Sequence, residues 1–582
     1  MLPVGSSTPC RCCGGGAVSI DASAMMSVFT ETSRFSHLSS LDQPTGPRGT
    51  EQDDAMETRL LLLAALFLLP LAALLLARRR GAAGGSKNGA RLPPGPPALP
   101  LIGSLFWLTR SPSDMEDLLR RLVARHGPVV SLRVGSVLSV FVADRRLAHA
   151  ALVGSGAALA DRPAVTREIL DENGNTVARS SYGPLWRLLR RNLVAETLHP
   201  SRVRLFAPAR AWVRRVLAVK LREPEEPPLV MEAFRYAMFC LLVLMCFGER
   251  LDEPAVRAIA AAQRDWLMFV AKNTAVFAFW PAVTKRLFRR RLETGLSARR
   301  RQKELFVPLI AARRERKEQL SRGGAAAAAA PSKDTTFEHS YVDTLLDIRI
   351  HDEGSRALTD EEMANLCSEF LTAGTDTTST ALQWIMAELV KHPAIQEKLY
   401  GEITAACGGE QEEVGEEDTH RMPYLKAVVL EGLRRHPPAH FLLSHRAAED
   451  VEVGGYLIPK GATVNVTVAE MGWDEREWER PMEFVPERFL PGGGGEGVDV
   501  TGSREIKMMP FGAGRRICAG LGIAMLHLEY FVANLVREFE WQEVAGDEVD
   551  FAEKNEFTTV MKKPLRARLV PRRIQSTSAE RF

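Results

Sequence analysis

One cysteine near the C-terminus is framed for chemistry: in Phe511-Gly512-Ala513-Gly514-Arg515-Arg516-Ile517-Cys518-Ala519-Gly520 it stands among glycines, an arginine and an upstream phenylalanine at fixed offsets. Glycines let a backbone turn tightly and approach a flat ligand where a side chain would clash. A thiolate in a semi-buried place needs amide donors and a nearby cation to stay deprotonated, and Arg516 is placed to serve as that cation. Phe511 would screen the sulfur from water. The bland alternative is a Gly-rich turn around an inert buried cysteine. A second constellation, Ala373-Gly374-Thr375-Asp376-Thr377-Thr378, sets polar residues in the middle of an otherwise apolar helical stretch. That is costly unless they act. Gly374 would open room for a ligand beside the helix axis. The Thr377 hydroxyl next to Asp376 can loosen the helix ladder, hold water and pass protons; a kink filled by threonines is the plain alternative. A third, Tyr182-Gly183-Pro184-Leu185-Trp186-Arg187-Leu188-Leu189-Arg190-Arg191, opens a helix at its proline. Trp186 and Arg190 share one face there, so an indole N–H and a guanidinium can meet one anionic group. Arg187 and Arg191 form a basic edge, either a landing place for an acidic partner or a solvated face.

Phe-x-x-Gly-x-Arg-x-Cys-x-Gly resembles the haem-binding signature of the cytochrome P450 superfamily, the haem-thiolate monooxygenases. The resemblance implies a mainly α fold with small β-sheets, preceded by a single N-terminal transmembrane helix. It makes Cys518 the axial ligand of haem iron, with Phe511, Gly514, Arg516 and Gly520 forming the haem loop. Thiolate ligation pushes electron density onto the iron and favours O–O cleavage. By the same resemblance Asp376 and Thr377 deliver protons, Trp186 and Arg190 hold a haem propionate, and His445 is a second propionate-binding cation, although Ser444 departs from the proline usual before it. Implied cofactors are haem b (iron protoporphyrin IX) and O2, with electrons from NADPH through a partner reductase. Glu431 and Arg434 lie one helical turn apart, and Arg488 in Pro486-Glu487-Arg488-Phe489 would complete a buried charge network. The pair's spacing alone is weak, since it recurs at Glu31 and Arg34, Glu232 and Arg235, and Glu477 and Arg480. Order along the chain distinguishes it. The stretches Arg504 to Pro510 and Glu529 to Asn534 are most similar to the plant A-type branch, family 89. Gly472-Trp473-Asp474 departs from relatives that carry Arg in place of Trp.

The elements that must position these residues are legible in outline. The 582 residues accommodate one large helical domain plus an anchor, and 46% hydrophobic content suffices for a sizeable core. Lys plus Arg number 75 against 72 Asp plus Glu, a balance that argues against a nucleic-acid partner. Eight cysteines without paired spacing in the globular part fit a reducing compartment. Cys10-Arg11-Cys12-Cys13 has no second ligand pair at zinc-finger spacing. Residues 1–55, rich in Ser, Thr, Gly and Pro, read as a disordered or non-native extension, with a transit peptide as the alternative. Residues 56–80 read as a transmembrane signal anchor: Leu60 to Ala77 is apolar and helical over about 27 Å, close to the hydrocarbon thickness of roughly 30 Å. Asp53, Asp54 and Glu57 precede it and Arg78 to Arg80 follow, which places the C-terminal bulk in the cytosol; the family resemblance implies a single-pass protein of the endoplasmic reticulum membrane. A cleaved signal peptide is the competing reading.

Residues 81–97 form a linker and a Pro-rich hinge, Arg91 to Pro97, that would hold the domain at a fixed attitude to the membrane, and 98–582 form the haem-thiolate catalytic domain. Strands are expected at Val129 to Val134 and Val137 to Val142, a buried core helix at Ala237 to Phe247, and a loop insertion at the alanine tract between Arg322 and Pro331. A long helix should start after Thr359, whose side chain can cap it. Pocket walls, by resemblance, come from Phe370 and Ala373, Ala439 to Leu443, and Phe557 to Val560, so the substrate should be a lipophilic small molecule. Phe269 to Trp280, followed by Lys285, Arg286 and Arg289 to Arg291, reads either as a surface resting on membrane lipid or as a packed helix pair with a basic end. Two other functions stand beside the monooxygenase: a haem-thiolate isomerase or dehydratase that needs no reductase, and a non-enzymatic haem-binding membrane protein.

Overall fold

The computed structural model describes residues 91–96, 112–134, 137–163, 175–222, 227–273, 275–278, 281–328, 337–407 and 413–572. The expected extension and anchor lie outside the described residues, as do Cys10 to Cys13 and Trp280. The main helices are α1 (Pro112–His126), α2 (Pro184–Asn192), α3 (Ala207–Arg222), α4 (Val230–Phe247), α5 (Glu253–Asn273), α6 (Pro281–Leu287), α7 (Arg289–Ala328), α8 (Asp360–Lys391), α9 (Pro393–Cys407), α10 (Pro423–Arg435) and α11 (Leu521–Glu538). Four strands, β1 (Val129–Val134), β2 (Val137–Val142), β3 (His445–Arg446) and β4 (Thr463–Val466), make one sheet in the order β1-β2-β4-β3. β2 runs parallel to β4, and both outer pairs are antiparallel. A hairpin follows near the C-terminus, β5 (Glu553–Asn555) with β6 (Thr559–Met561).

α8 is the spine, and its start is written in the sequence. Thr359 Oγ1 accepts the Glu362 N–H at 3.2 Å while Glu362 Oε2 accepts the Thr359 N–H at 2.9 Å, a reciprocal cap that satisfies two otherwise orphaned donors. Its buried residues pack against α4, α10 and α11 in the largest apolar cluster. α4 is long and apolar enough to cross a membrane by composition, yet 78% of its 18-residue window is buried in protein, so it is the core helix expected at Ala237 to Phe247, extended one turn and more upstream. Gly374 faces α4 at short range: a Cβ there would stand 2.7 Å from Leu242 Cδ1. The glycine therefore serves helix packing, not ligand space as its place in the motif suggested.

Both strands expected at the front form as expected, and the Pro-rich hinge docks on them. Ser131 N–H donates to Pro94 O at 2.8 Å and its hydroxyl to Pro93 O at 2.7 Å. One expectation fails: the alanine tract begins as helix, since α7 continues through Gly323 and Gly324 to Ala328. Alanine is the strongest helix former, and a run of it extends a helix already nucleated. The stretch after Phe269 is packed inward where it is described, with Trp266, Phe269 and Phe277 buried together.

Candidate functional site

The cysteine loop ends where α11 begins, with Gly520 as the residue before the first turn. Cys518 N–H donates to Phe511 O at 2.8 Å, closing the loop on itself. Half-buried Phe511 packs against the main core. Gly514 adopts φ +70°, and a Cβ there would collide with the carbonyl oxygen of Leu152. Its close neighbour is thus the protein's own backbone, and both the conformation and the approach demand glycine. Cys518 is exposed, yet burial raises its thiol while the Gly520 N–H and the Arg190 charge pull it down. A sulfur that solvent can touch while protein surrounds it lines an internal cleft.

The cation acting on that sulfur is Arg190, not Arg516. Arg190, on α2, donates to Ile517 O at 2.6 Å, the carbonyl preceding Cys518. Arg516 turns the other way and spends its guanidinium on three carbonyls, Ala160 O at 2.7 Å, Val177 O at 2.9 Å and Ser180 O at 2.6 Å. Trp186 lies between the two arginines, its ring 4.5 Å from the Arg516 guanidinium carbon and 5.6 Å from that of Arg190. Its indole N–H is given to Val177 O at 2.9 Å. Here the indole partner is a peptide carbonyl.

His445 joins this group from the sheet edge, where β3 holds it opposite Val464. It is buried, and its Nδ1 lies 2.6 Å from Leu159 O; a carbonyl only accepts, so Nδ1 carries the hydrogen. Burial, then the Arg162 charge, drives its pKa down to about 3, so the imidazole is neutral in this setting and not the cation expected. An anion placed beside it would restore its affinity for a proton.

Arg162 is the residue that sequence reasoning missed. It is buried and donates to Ala178 O at 2.9 Å, Leu443 O at 2.6 Å and Ser444 O at 2.9 Å. Burial and the neighbouring Arg516 charge lower it to about 9; burial lowers Arg516 to about 10 despite Asp161. Buried Arg162, half-buried Arg516 and a histidine, with Arg190 alongside, therefore converge while bonded to neutral carbonyls, and Asp161 and Glu369 oppose the two arginines' charge from beyond bonding distance. Such a concentration of positive charge is unfavourable by itself and suits a multiply anionic ligand.

On α8, Ala373 is exposed, and Glu369, Phe370, Thr372, Gly374 and Thr377 around it are half-buried, opening one stretch of an otherwise largely buried helix. Thr377 Oγ1 donates to Ala373 O at 2.6 Å, and the helix continues unbroken through it. Asp376 is buried and pairs with two arginines through Oδ1, Arg235 at 3.1 Å and Arg264 at 2.9 Å. Of the expected pocket walls, Ala439 and Leu443 are exposed with Ala373, Phe557 is half-buried, Val560 is buried, and Phe370 stacks 5.0 Å from Tyr341.

Behind the loop, Glu431 and Arg434 are fully buried and joined twice, at 2.7 and 2.8 Å, with Arg488 Nε at 3.3 Å from the same carboxylate. Arg488 also donates to the carbonyls of Glu479 and Arg480. This is the expected charge network, and it ties α10 to the segment leading into the cysteine loop. Trp473 gives its indole N–H to Arg435 O at 2.9 Å and meets His440 edge-on at 5.2 Å.

A helical domain with one cysteine loop at the head of a long helix, a basic cradle beside it and an acid-alcohol pair on the spine defines the haem-thiolate class. Residues 93–570 match the Cytochrome P450 family, and the chain belongs to it: it is a cytochrome P450 monooxygenase. It is 46% identical over 500 residues to cytochrome P450 89A9 of Arabidopsis thaliana, covering 83% of this chain and 94% of that one, so the resemblance to family 89 holds. It is 32% identical to tryptamine 5-hydroxylase of Oryza sativa subsp. japonica, over 82% of this chain and 90% of that one. Among solved structures it is similar to the retinoic-acid-bound cyanobacterial CYP120A1, with TM-score 0.67 and 21% identity over 83% of this chain and all of that one. It is also similar to a zebra fish cytochrome P450 with progesterone, with TM-score 0.64 and 22% identity over 80% of this chain. Family membership implies haem, O2 and electrons from a redox partner. The residues present fit that group: a solvent-accessible sulfur for the iron, and for the carboxylates a group of cations whose hydrogen bonds, among the described residues, go to neutral carbonyls.

Proposed function

We propose that the protein is a membrane-anchored monooxygenase that inserts one oxygen atom of O2 into a lipophilic small molecule, using electrons from NADPH delivered by an NADPH-cytochrome P450 reductase, with its catalytic domain on the cytosolic side of the endoplasmic reticulum. Haem b, when bound, supplies oxygen activation through its thiolate-ligated iron. Cys518 would be the axial ligand; as a thiolate it is supported by the Gly520 N–H, by Arg190 and by its position at the start of α11, where the helix dipole favours negative charge. Arg162, Arg516, Arg190 and His445 would bind the propionates, with the Trp186 ring against the guanidiniums of Arg190 and Arg516. Phe511 excludes water from the sulfur side. Asp376 would take protons from solvent and Thr377 would present its hydroxyl at the cleft to pass them on.

Membrane attachment rests on the Leu60 to Ala77 run, assisted by α6, where Val283 and Leu287 are 59% and 49% exposed one turn apart beside Lys285 and Arg286. The apolar, exposed Ala373, Ala439 and Leu443 support a lipophilic substrate.

The observation that carries this reading is the basic cradle on the Cys518 loop, in which Arg162 and Arg516 hydrogen-bond only to neutral carbonyls among the described residues. The test is the carbon monoxide difference spectrum of the reduced protein beside Cys518→Ser. A red-shifted Soret band in the parent that is absent from the variant is the expected result; a folded parent without that band overturns it. Turnover that requires NADPH and reductase separates the monooxygenase from an isomerase or dehydratase, and an oxygen-derived product separates it from a haem-binding protein without activity.

A further inference from the structure

Asp376 does not stand alone on α8. Arg264, on α5, reaches it with one terminal nitrogen at 2.9 Å and reaches Glu556 Oε2 with the other at 2.6 Å. Arg235, on α4, does the same less evenly, with Nε 3.1 Å from Asp376 Oδ1 and Nη2 3.6 Å from Glu556 Oε2. Two acids and two guanidiniums thus close a ring, built from α4, α5, α8 and the turn between β5 and β6, with Lys554 as a third cation 3.1 Å from Glu556 Oε1. Their side chains are 27% and 34% exposed for Arg235 and Arg264, and 9% and 14% for Asp376 and Glu556, so the ring is shielded from solvent on its acidic side. Burial and the Arg264 charge lower the pKa of Arg235, the mark of two cations pressed together and held there by acids.

The turn carrying Glu556 is fastened to α8 at a second point. Thr558 and Thr380 hydroxyls lie 2.8 Å apart, and Thr380 is one helical turn beyond Asp376. The β5–β6 turn therefore cannot shift without altering the arginines' hold on Asp376.

We propose that Glu556 is a positioning residue for Asp376. By taking one hand of each guanidinium it keeps both arginines from closing on the Asp376 carboxylate, and so sets how readily that carboxylate exchanges a proton with the cleft. The inference rests on the reading that Asp376 delivers protons. It adds a consequence: pressure on Phe557, the next residue in the turn, is transmitted to proton delivery through Glu556.

The test uses the full-length, haem-loaded protein reconstituted with reductase, and needs no substrate. NADPH oxidation and hydrogen peroxide release are measured in H2O and D2O for the parent, Glu556→Gln, Asp376→Asn and Glu556→Gln combined with Arg264→Gln. In Glu556→Gln the peroxide released per NADPH should rise about threefold and the solvent isotope effect should grow, because both guanidiniums then fall on one acid. Removing Arg264 as well should return both toward the parent. Hydrogen exchange of residues 553–561, read on haem-loaded and haem-free protein, reports whether the turn has come loose. Faster exchange in Glu556→Gln with an unchanged peroxide fraction and isotope effect makes Glu556 a mere tether and overturns the proposal, as does a double variant no better than the single one. An Asp376→Asn variant identical to the parent overturns the proton-delivery reading instead, so the two failures are distinct. Should Glu556→Gln lose its carbon monoxide band, the charge-retaining Glu556→Asp carries the test: parental isotope effect is expected, and one matching Asp376→Asn refutes it.

Discussion

Replacing Glu431 by alanine should be among the most destabilising single changes outside the haem loop. The carboxylate is fully buried and accepts Arg434 Nε at 2.7 Å, Arg434 Nη2 at 2.8 Å, the Val485 N–H at 2.8 Å and Arg488 Nε at 3.3 Å. Hydrogen bonds to charged groups contribute roughly 1.5–3 kcal/mol each, so a simple sum over four overshoots. The loss is bounded better by what remains: a fully buried Arg434 whose other partners are the carbonyls of Gly472 at 2.6 Å and Glu483 at 3.2 Å. Truncating one partner of a buried pair costs about 3–5 kcal/mol. Against a total stability of about 5–15 kcal/mol, that moves the chain a large part of the way to unfolding. Urea unfolding followed by far-UV circular dichroism and by tryptophan emission reads this directly, since Trp478 lies 5.4 Å from the Arg434 guanidinium. Glu479→Ala, at a carboxylate 84% exposed, should change stability by no more than about 0.5 kcal/mol and serves as control. Glu431→Ala within about 1 kcal/mol of the parent would show that the pair is not the fastening that its geometry describes.

Arg162→Ala should leave the protein folded but lower haem retention by roughly tenfold, the equivalent of about 1.4 kcal/mol for one charge-assisted contact, measured by haem transfer to apomyoglobin. Gly514→Ala should cost about 2–4 kcal/mol, because left-handed strain and a clash with the Leu152 carbonyl add, whereas Gly522→Ala, with open space around it, should be near neutral by the same urea titration. Stability should fall in alkali. Burial opposes the charge on His440, yet its contacts with Glu116 at 2.9 Å and Glu553 at 3.5 Å raise its pKa from 6.5 to about 9. The folded state therefore binds that proton more tightly, and its stabilisation is complete below about pH 6.5 and is lost as pH rises through about 9, up to about 3 kcal/mol in all. His440→Gln should remove that slope; a slope unchanged in the variant would assign it elsewhere.

Local signals carried the fold well and the site in part. Thr359 and Glu362 announce a helix start because the cap is made between near neighbours, and Val129 to Val142 reads as paired strands because alternation is local too. The cysteine loop was legible because its geometry demands glycine at Gly514. Arg162 was not, since nothing near it in sequence hints that Leu443 and Ser444 will supply its acceptors. Spacing misled in an instructive way. Glu232 and Arg235 have the same spacing as Glu431 and Arg434, yet Glu232 is exposed and Arg235 turns to Asp376 and Glu556, across two other elements. Glu477 likewise meets Arg145, leaving Arg480 to Glu479 and Glu483. One-turn spacing permits a pair, and tertiary burial decides whether it forms.

The apolar character of α4 has a meaning for synthesis as well as for packing. Its coverage comes chiefly from α8, which leaves the ribosome roughly a hundred residues later, so a helix apolar enough to enter a bilayer must wait for its cover. Gly374 is part of that rescue: the notch that admits Leu242 lets the late helix seat closely on the early one. A slowly made or damaged α8 would leave α4 uncovered, and the first casualty would be solubility.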